Sequence, residues 1–195
     1  DPCLKSAGRM GMAYDARLNR TKLYLNNPAE YFNMLVTEIN AFIKKAERKG
    51  LMPLVRLNGT SDIRYENIGF VFDGVYFRNI FEYFPDLQFY DYTKIPNRFN
   101  SMNGLSDFPK NYDLTFSYSG ADGFQKYNDR ALKAGVRIAA VFDRAENIPV
   151  TFHKRKVISG DETDVRHLDA QNVIVALYAK GKARKDTSGF VIQGA

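Results

Sequence analysis

A carboxamide, two hydroxyls and a carboxylate surround a glycine at Asn58, Gly59, Thr60, Ser61 and Asp62, directly after the apolar run that begins at Leu54. Such a set holds a phosphate, a ribose or a carboxylate through backbone amides and short polar side chains. The same residues also make an ordinary turn in which Ser61 or Asp62 caps the next segment. The spacing matches neither a P-loop nor a dinucleotide fingerprint. As a ligand site, Asn58 and Thr60 would hydrogen-bond the ligand and Asp62 would take a hydroxyl or a proton. Arg56 sits inside the apolar run, and a guanidinium buried in a strand needs either an acidic partner or an anionic ligand.

A second constellation is Tyr90-Asp91-Tyr92-Thr93-Lys94. Asp91 suits a general base or a ribose contact, and Lys94 suits an anion. Ser117, Tyr118 and Ser119 have no histidine near them in sequence, which argues against a serine nucleophile. Asp161, Glu162 and Asp164 offer oxygens of the kind that bind magnesium or calcium, but a capped turn explains their spacing better than a calcium loop does. His153 and His167 lack the spacing of a metal pair and read as ordinary polar residues. Two basic runs, 153–156 and 180–185, read as solvated faces or a nucleic-acid footprint. In the second run Lys180 and Lys182 precede the polar turn Asp186-Thr187-Ser188-Gly189, a combination suited to phosphate.

These residues need elements to position them. The pattern of an apolar run opening into polar residues recurs at 87–94, 112–119 and 136–144, so each segment is expected to be a strand. If the strands are parallel, their polar ends share one edge, where α/β proteins build sites. Asn27, Pro28 and Glu30 mark the start of a helix over 29–49, whose Phe32, Leu35, Val36, Ile39, Phe42, Ile43 and Ala46 would cover the sheet. Met12, Ala16 and Leu23 suggest a short helix before it. Asp73-Gly74 predicts a hairpin and 79–84 a helical turn or two, followed by an irregular loop over 96–110. A helix over 122–133, stopped by Gly135, joins two of the strands. The segment 147–160 reads as a connection with room for a short strand, and 172–179 as a strongly apolar strand. The expectation is one α/β domain over 1–195 with a mainly parallel sheet, an incomplete (β/α) barrel being one form it could take, with antiparallel additions at the edges.

Composition bounds the function classes. The 195 residues are 45% hydrophobic, enough for a sizeable core, and the formal charge of +6 with a pI near 9.3 favours anionic partners, small or nucleic. Cys3 is the single cysteine, so no disulfide forms within the chain and no site of several cysteines exists. No apolar run approaches the roughly 20 residues that span a bilayer, and no signal-peptide pattern opens the chain, so a cytoplasmic setting is expected. The chain begins at Asp1, and trimming at this end is expected.

The segments 3–9, Ala16-Arg17 with Thr21, 56–63, 89–94, 160–164, 179–183 and 185–190 together resemble the phage-encoded "gene product eighty-eight" family of unknown function. The resemblance implies further cysteines just before the position of Cys3. That layout is similar to radical enzymes that hold an iron-sulfur centre and S-adenosylmethionine. It would make Cys3 a cluster ligand in a complete protein, with no cluster expected in this chain, because one thiolate does not hold a cubane. The alternative is an incidental thiol at Cys3 and plain ligand binding at the strand ends. The first function expected is an enzyme-like small-molecule site for a nucleotide or other anionic ligand at the strand ends, and two others stand beside it: a basic nucleic-acid-binding module, and a structural or interaction protein of the virion. The sequence assigns no reaction and no oligomeric state.

Overall fold

An asparagine followed by a proline separates two helices at the start of the chain. Asn27 accepts from the Glu30 N–H at 3.3 Å and donates to the Glu30 carboxylate at 2.8 Å, while Pro28 needs no donor in the first turn. The computed structural model describes residues 12–99 and 108–194. Within it α1 runs Met12–Asn26 and α2 Pro28–Glu47, and the chain leaves α2 through Gly50 at φ +63°. Of the expected apolar stripe, Phe32, Val36, Ile39 and Ala46 are buried, whereas Phe42 is 43% exposed.

The other elements are β1 (Leu54–Val55), β2 (Phe70–Phe72), β3 (Val75–Phe77), α3 (Ile80–Tyr83), β4 (Gln88–Thr93), β5 (Tyr112–Ser117), α4 (Gln125–Lys133), β6 (Ile138–Phe142), β7 (Thr151–Phe152), β8 (Arg155–Ser159) and β9 (Ile174–Tyr178). The fold is α/β, with a seven-stranded sheet in the order β1-β4-β5-β6-β9-β8-β7. Parallel pairs are β1 with β4, β5 with β6, β6 with β9, and β9 with β8; β7 pairs antiparallel with β8. Among the described residues β1 and β7 are the two ends of an open sheet, so the expected parallel sheet forms without closing into a barrel.

The chain divides into two compact units, Asp1–Phe89 with Pro109–Tyr112, and Tyr90–Phe108 with Asp113–Ala195. In the first, Phe32 of α2 stacks on Phe70 of β2 at 4.8 Å between ring centroids. Asp73 and Gly74, at φ +48° and +78°, make the tight turn between β2 and β3, where the left-handed backbone suits a two-residue hairpin. Asn111 donates to the carbonyls of Phe84 and Leu87 at 2.8 and 3.0 Å and so fastens the end of α3.

The second unit has a charged interior. Arg137 is fully buried and donates to Thr115 Oγ1 at 2.9 Å, to the Asp169 carbonyl at 2.6 Å and to the Asp113 carboxylate. Burial pushes the Asp113 carboxyl up even though Arg137 opposes the shift, and burial likewise pulls the Arg137 guanidinium down. Arg166, also buried, lies 3.1 Å from Asp169 Oδ2 without hydrogen-bond alignment, and it donates to the Thr163 carbonyl. Arg155 turns inward to the carbonyls of Val136 and Leu132, so the run 153–156 is not an uninterrupted solvated face as read from sequence. His153 and Lys154, at φ +50° and +61°, form the β7–β8 turn.

Candidate functional site

The polar loop after β1 belongs to the first unit. β1 ends at Val55, which leaves Arg56 outside the ladder and exposed, a correction to the expectation of a buried guanidinium. Asn58 is only 2% exposed, and its side chain closes the loop on itself. Its Oδ1 accepts from the Ile63 N–H and the Ser61 hydroxyl, both at 2.8 Å, and its Nδ2 donates to the Ile63 carbonyl at 2.9 Å. The carboxamide is thereby committed to holding the turn. Thr60 is exposed and Asp62 half-buried. Arg56 lines a groove of about 390 Å3 with Arg20, Glu38, Leu35, Phe42 and Leu54.

In the second unit, β4 alternates. Tyr90 and Tyr92 donate their hydroxyls to the two oxygens of Asp164, at 3.0 and 2.8 Å, while Asp91 between them is fully buried. Just past β4, the Lys94 ammonium donates to Ser117 Oγ at 3.2 Å and lies 4.6 Å from the Phe190 ring centroid and 5.4 Å from that of Phe124. Lys94 therefore stands at the carboxyl end of β5 as well as of its own strand. The Tyr118 hydroxyl, one residue beyond Ser117, is 3.1 Å from His153 Nε2.

The carboxylates of the β8–β9 loop have partners within the protein. Asp161 accepts from the Tyr178 N–H at 3.2 Å and from Lys180 Nζ at 2.6 Å, and Asp164 takes the two tyrosines. The hydrogen bond to Asp161 holds the Lys180 ammonium above its ordinary range. Lys182 is exposed on the 3-10 turn Gly181–Lys185. The polar turn after it uses its own donors, since Asp186 accepts from the Ser188 hydroxyl at 2.6 Å and the Val191 N–H at 2.9 Å. Among the described residues no three His, Cys, Asp or Glu side chains are grouped to hold a metal. Cys3 lies outside the described residues.

A cleft of about 600 Å3 opens at the carboxyl ends of β6 and β9, lined by Asp143, Arg144, Ala145, Glu146, Tyr178, Ala179, Arg184 and Gln193. Asp143 organises its rim. It accepts from Asn147 Nδ2 at 2.8 Å, from the Arg144 N–H at 2.9 Å and from the Gly194 N–H at 3.2 Å, and these donors hold its carboxyl below the usual range. Arg184 uses Nε on the Ala179 carbonyl at 3.3 Å. The sequence marks Arg144 as the polar end of the run 136–144 and Arg184 as a member of the basic run 180–185, whereas nothing in it points to Glu146 or Gln193.

A model of the gene product 88 family matches residues 3–194, nearly the whole chain. The chain belongs to that family. Gene product 88 proteins form a phage family of unknown function, so membership brings no reaction to the cleft. No curated protein and no solved structure matches this gene product 88 chain. Its one cysteine does not supply the three or four thiolates of a cubane cluster, and the similarity of layout to radical enzymes finds no support here. No helix among its described residues is long and apolar enough to cross a membrane.

Proposed function

We propose that this gene product 88 chain binds a small anionic ligand at the carboxyl ends of its parallel strands, in the cleft beside β6 and β9. The cleft's volume of about 600 Å3 at that edge carries the proposal, since it falls within the range of small-molecule sites. Arg144 and Arg184 supply positive charge, and Lys182 adds to it from the neighbouring 3-10 turn. Asp143 has its carboxylate oxygens occupied by N–H donors of the rim. Lys94, at the ends of β4 and β5, extends the positive character of the edge.

Calorimetric titration with inorganic phosphate and with nucleoside phosphates tests the proposal. Saturable binding of one ligand per chain, weakened about tenfold or more by Arg184→Ala, is expected. No binding across the series by the folded chain overturns it. Binding of single-stranded nucleic acid that falls steeply with salt, with no small ligand bound, would instead favour a nucleic-acid module. Arg155, turned inward, contributes nothing to such a module.

A further inference from the structure

The cleft contains more than an anion needs. A site for a bare anion is best lined by cations and amides, yet Glu146 lies on the wall together with Arg144 and Arg184. Glu146 is exposed, and its carboxylate has no hydrogen bond or ion pair among the described residues. Such a group repels an anion unless the ligand brings donors to it. The vicinal hydroxyls of a ribose do this, placing two O–H donors on one carboxylate. Tyr178 adds an aromatic ring and Gln193 a carboxamide whose Nε2 donates to the Val191 carbonyl at 3.3 Å, leaving Oε1 to accept. A flat base with an amino group uses both.

Building on the proposed anion site, we infer that its ligand is a ribonucleoside phosphate. Arg144 and Arg184 meet the phosphate, Glu146 accepts from the 2′- and 3′-hydroxyls, and Tyr178 with Gln193 faces the base. The volume of about 600 Å3 accommodates all three parts.

The test is calorimetric titration of the full chain with AMP, 2′-deoxy-AMP, ribose 5-phosphate and inorganic phosphate. The measurements are repeated with Glu146→Ala and Arg184→Ala, and circular dichroism confirms that each variant is folded. AMP is expected to bind about tenfold tighter than 2′-deoxy-AMP and than ribose 5-phosphate. In Glu146→Ala the ribose preference disappears while phosphate still binds, and in Arg184→Ala every phosphorylated probe weakens. Equal binding of AMP and 2′-deoxy-AMP, or ribose 5-phosphate as tight as AMP, overturns the ribonucleoside assignment and leaves the anion site standing. Failure of all four probes removes both.

Discussion

The carboxylate of Asp143 accepts a hydrogen bond from the backbone N–H of Gly194 at 3.2 Å, across 51 positions of sequence. The last described residues are thereby drawn to the end of β6, where Ile192 also bridges to Phe142 in parallel. Gly194 is required there, because a Cβ would collide with the Asn147 carboxamide. One rim of the cleft thus depends on a carboxylate that must stay ionised.

Acid should loosen that rim. Hydrogen bonds hold the carboxyl groups of Asp143 and Asp186 below their ordinary range, those of Asp143 led by Asn147 and those of Asp186 by Ser188. A folded-state value below the unfolded one contributes stability above the ordinary aspartate value, and that stability is lost as pH falls through about 4 and lower. Asp113, pushed up by burial, acts in the opposite sense and offsets part of the loss. Thermal midpoints measured against pH should fall on the acid side, with a shallower fall in Asp143→Asn. An equally steep fall in that variant refutes the assignment.

Gly160 has no room for a side chain. A Cβ there would lie 2.5 Å from Val175 Cγ1 and 2.9 Å from the guanidinium of buried Arg166. Gly160→Ala should cost about 1–3 kcal/mol through overpacking, measured by urea unfolding. A change within error would show that the β8–β9 loop moves aside freely.

Removing one member of the buried ion pair should cost more. Arg137→Ala leaves Asp113 and the Asp169 carbonyl without their donor, a loss of about 3–5 kcal/mol. Arg137→Met combined with Asp113→Leu should recover most of it, since paired charges in a core are replaced by apolar groups with little penalty. Urea midpoints for the two single variants and the double variant decide the matter, and additivity of the two losses would contradict it.

Asn58→Ala separates a loop clamp from a ligand contact. It removes three hydrogen bonds from a buried side chain and should destabilise the first unit by about 1–3 kcal/mol. Phosphate affinity, measured by calorimetry at a temperature where the variant is folded, should not change. Loss of affinity with an unchanged unfolding midpoint would return Asn58 to the list of ligand residues.

What the sequence discloses depends on how local the signal is. α2 is legible because Asn27, Pro28 and Glu30 carry the start of the helix within four residues, and the β2–β3 turn because Asp73-Gly74 suits a left-handed backbone. The parallel strands show as apolar runs, although β8 hides in a segment that reads as a connection. Its turn is made by His153 and Lys154, neither of which advertises a hairpin. Arg56 and Arg137 each sit inside an apolar run, yet Arg56 is exposed and Arg137 fully buried. β1 stops one residue before Arg56, whereas Arg137 is buried because Asp113 and Asp169, 24 and 32 positions away, converge on it. Tyr90 and Asp164, 74 positions apart, make the same point, since nothing local announces a partner supplied by a distant loop.

Among the described residues the outermost strands of the sheet, β1 and β7, are each two residues long. A border that short gives an incoming strand few backbone groups to copy, while the apolar stretches of β6 and β9 are interior members of the sheet with strands on both sides. The segments most prone to self-association are therefore the ones least able to offer an edge. Concentrated folded protein should resist fibril formation, and any aggregation should begin only after β9 has lost its neighbours.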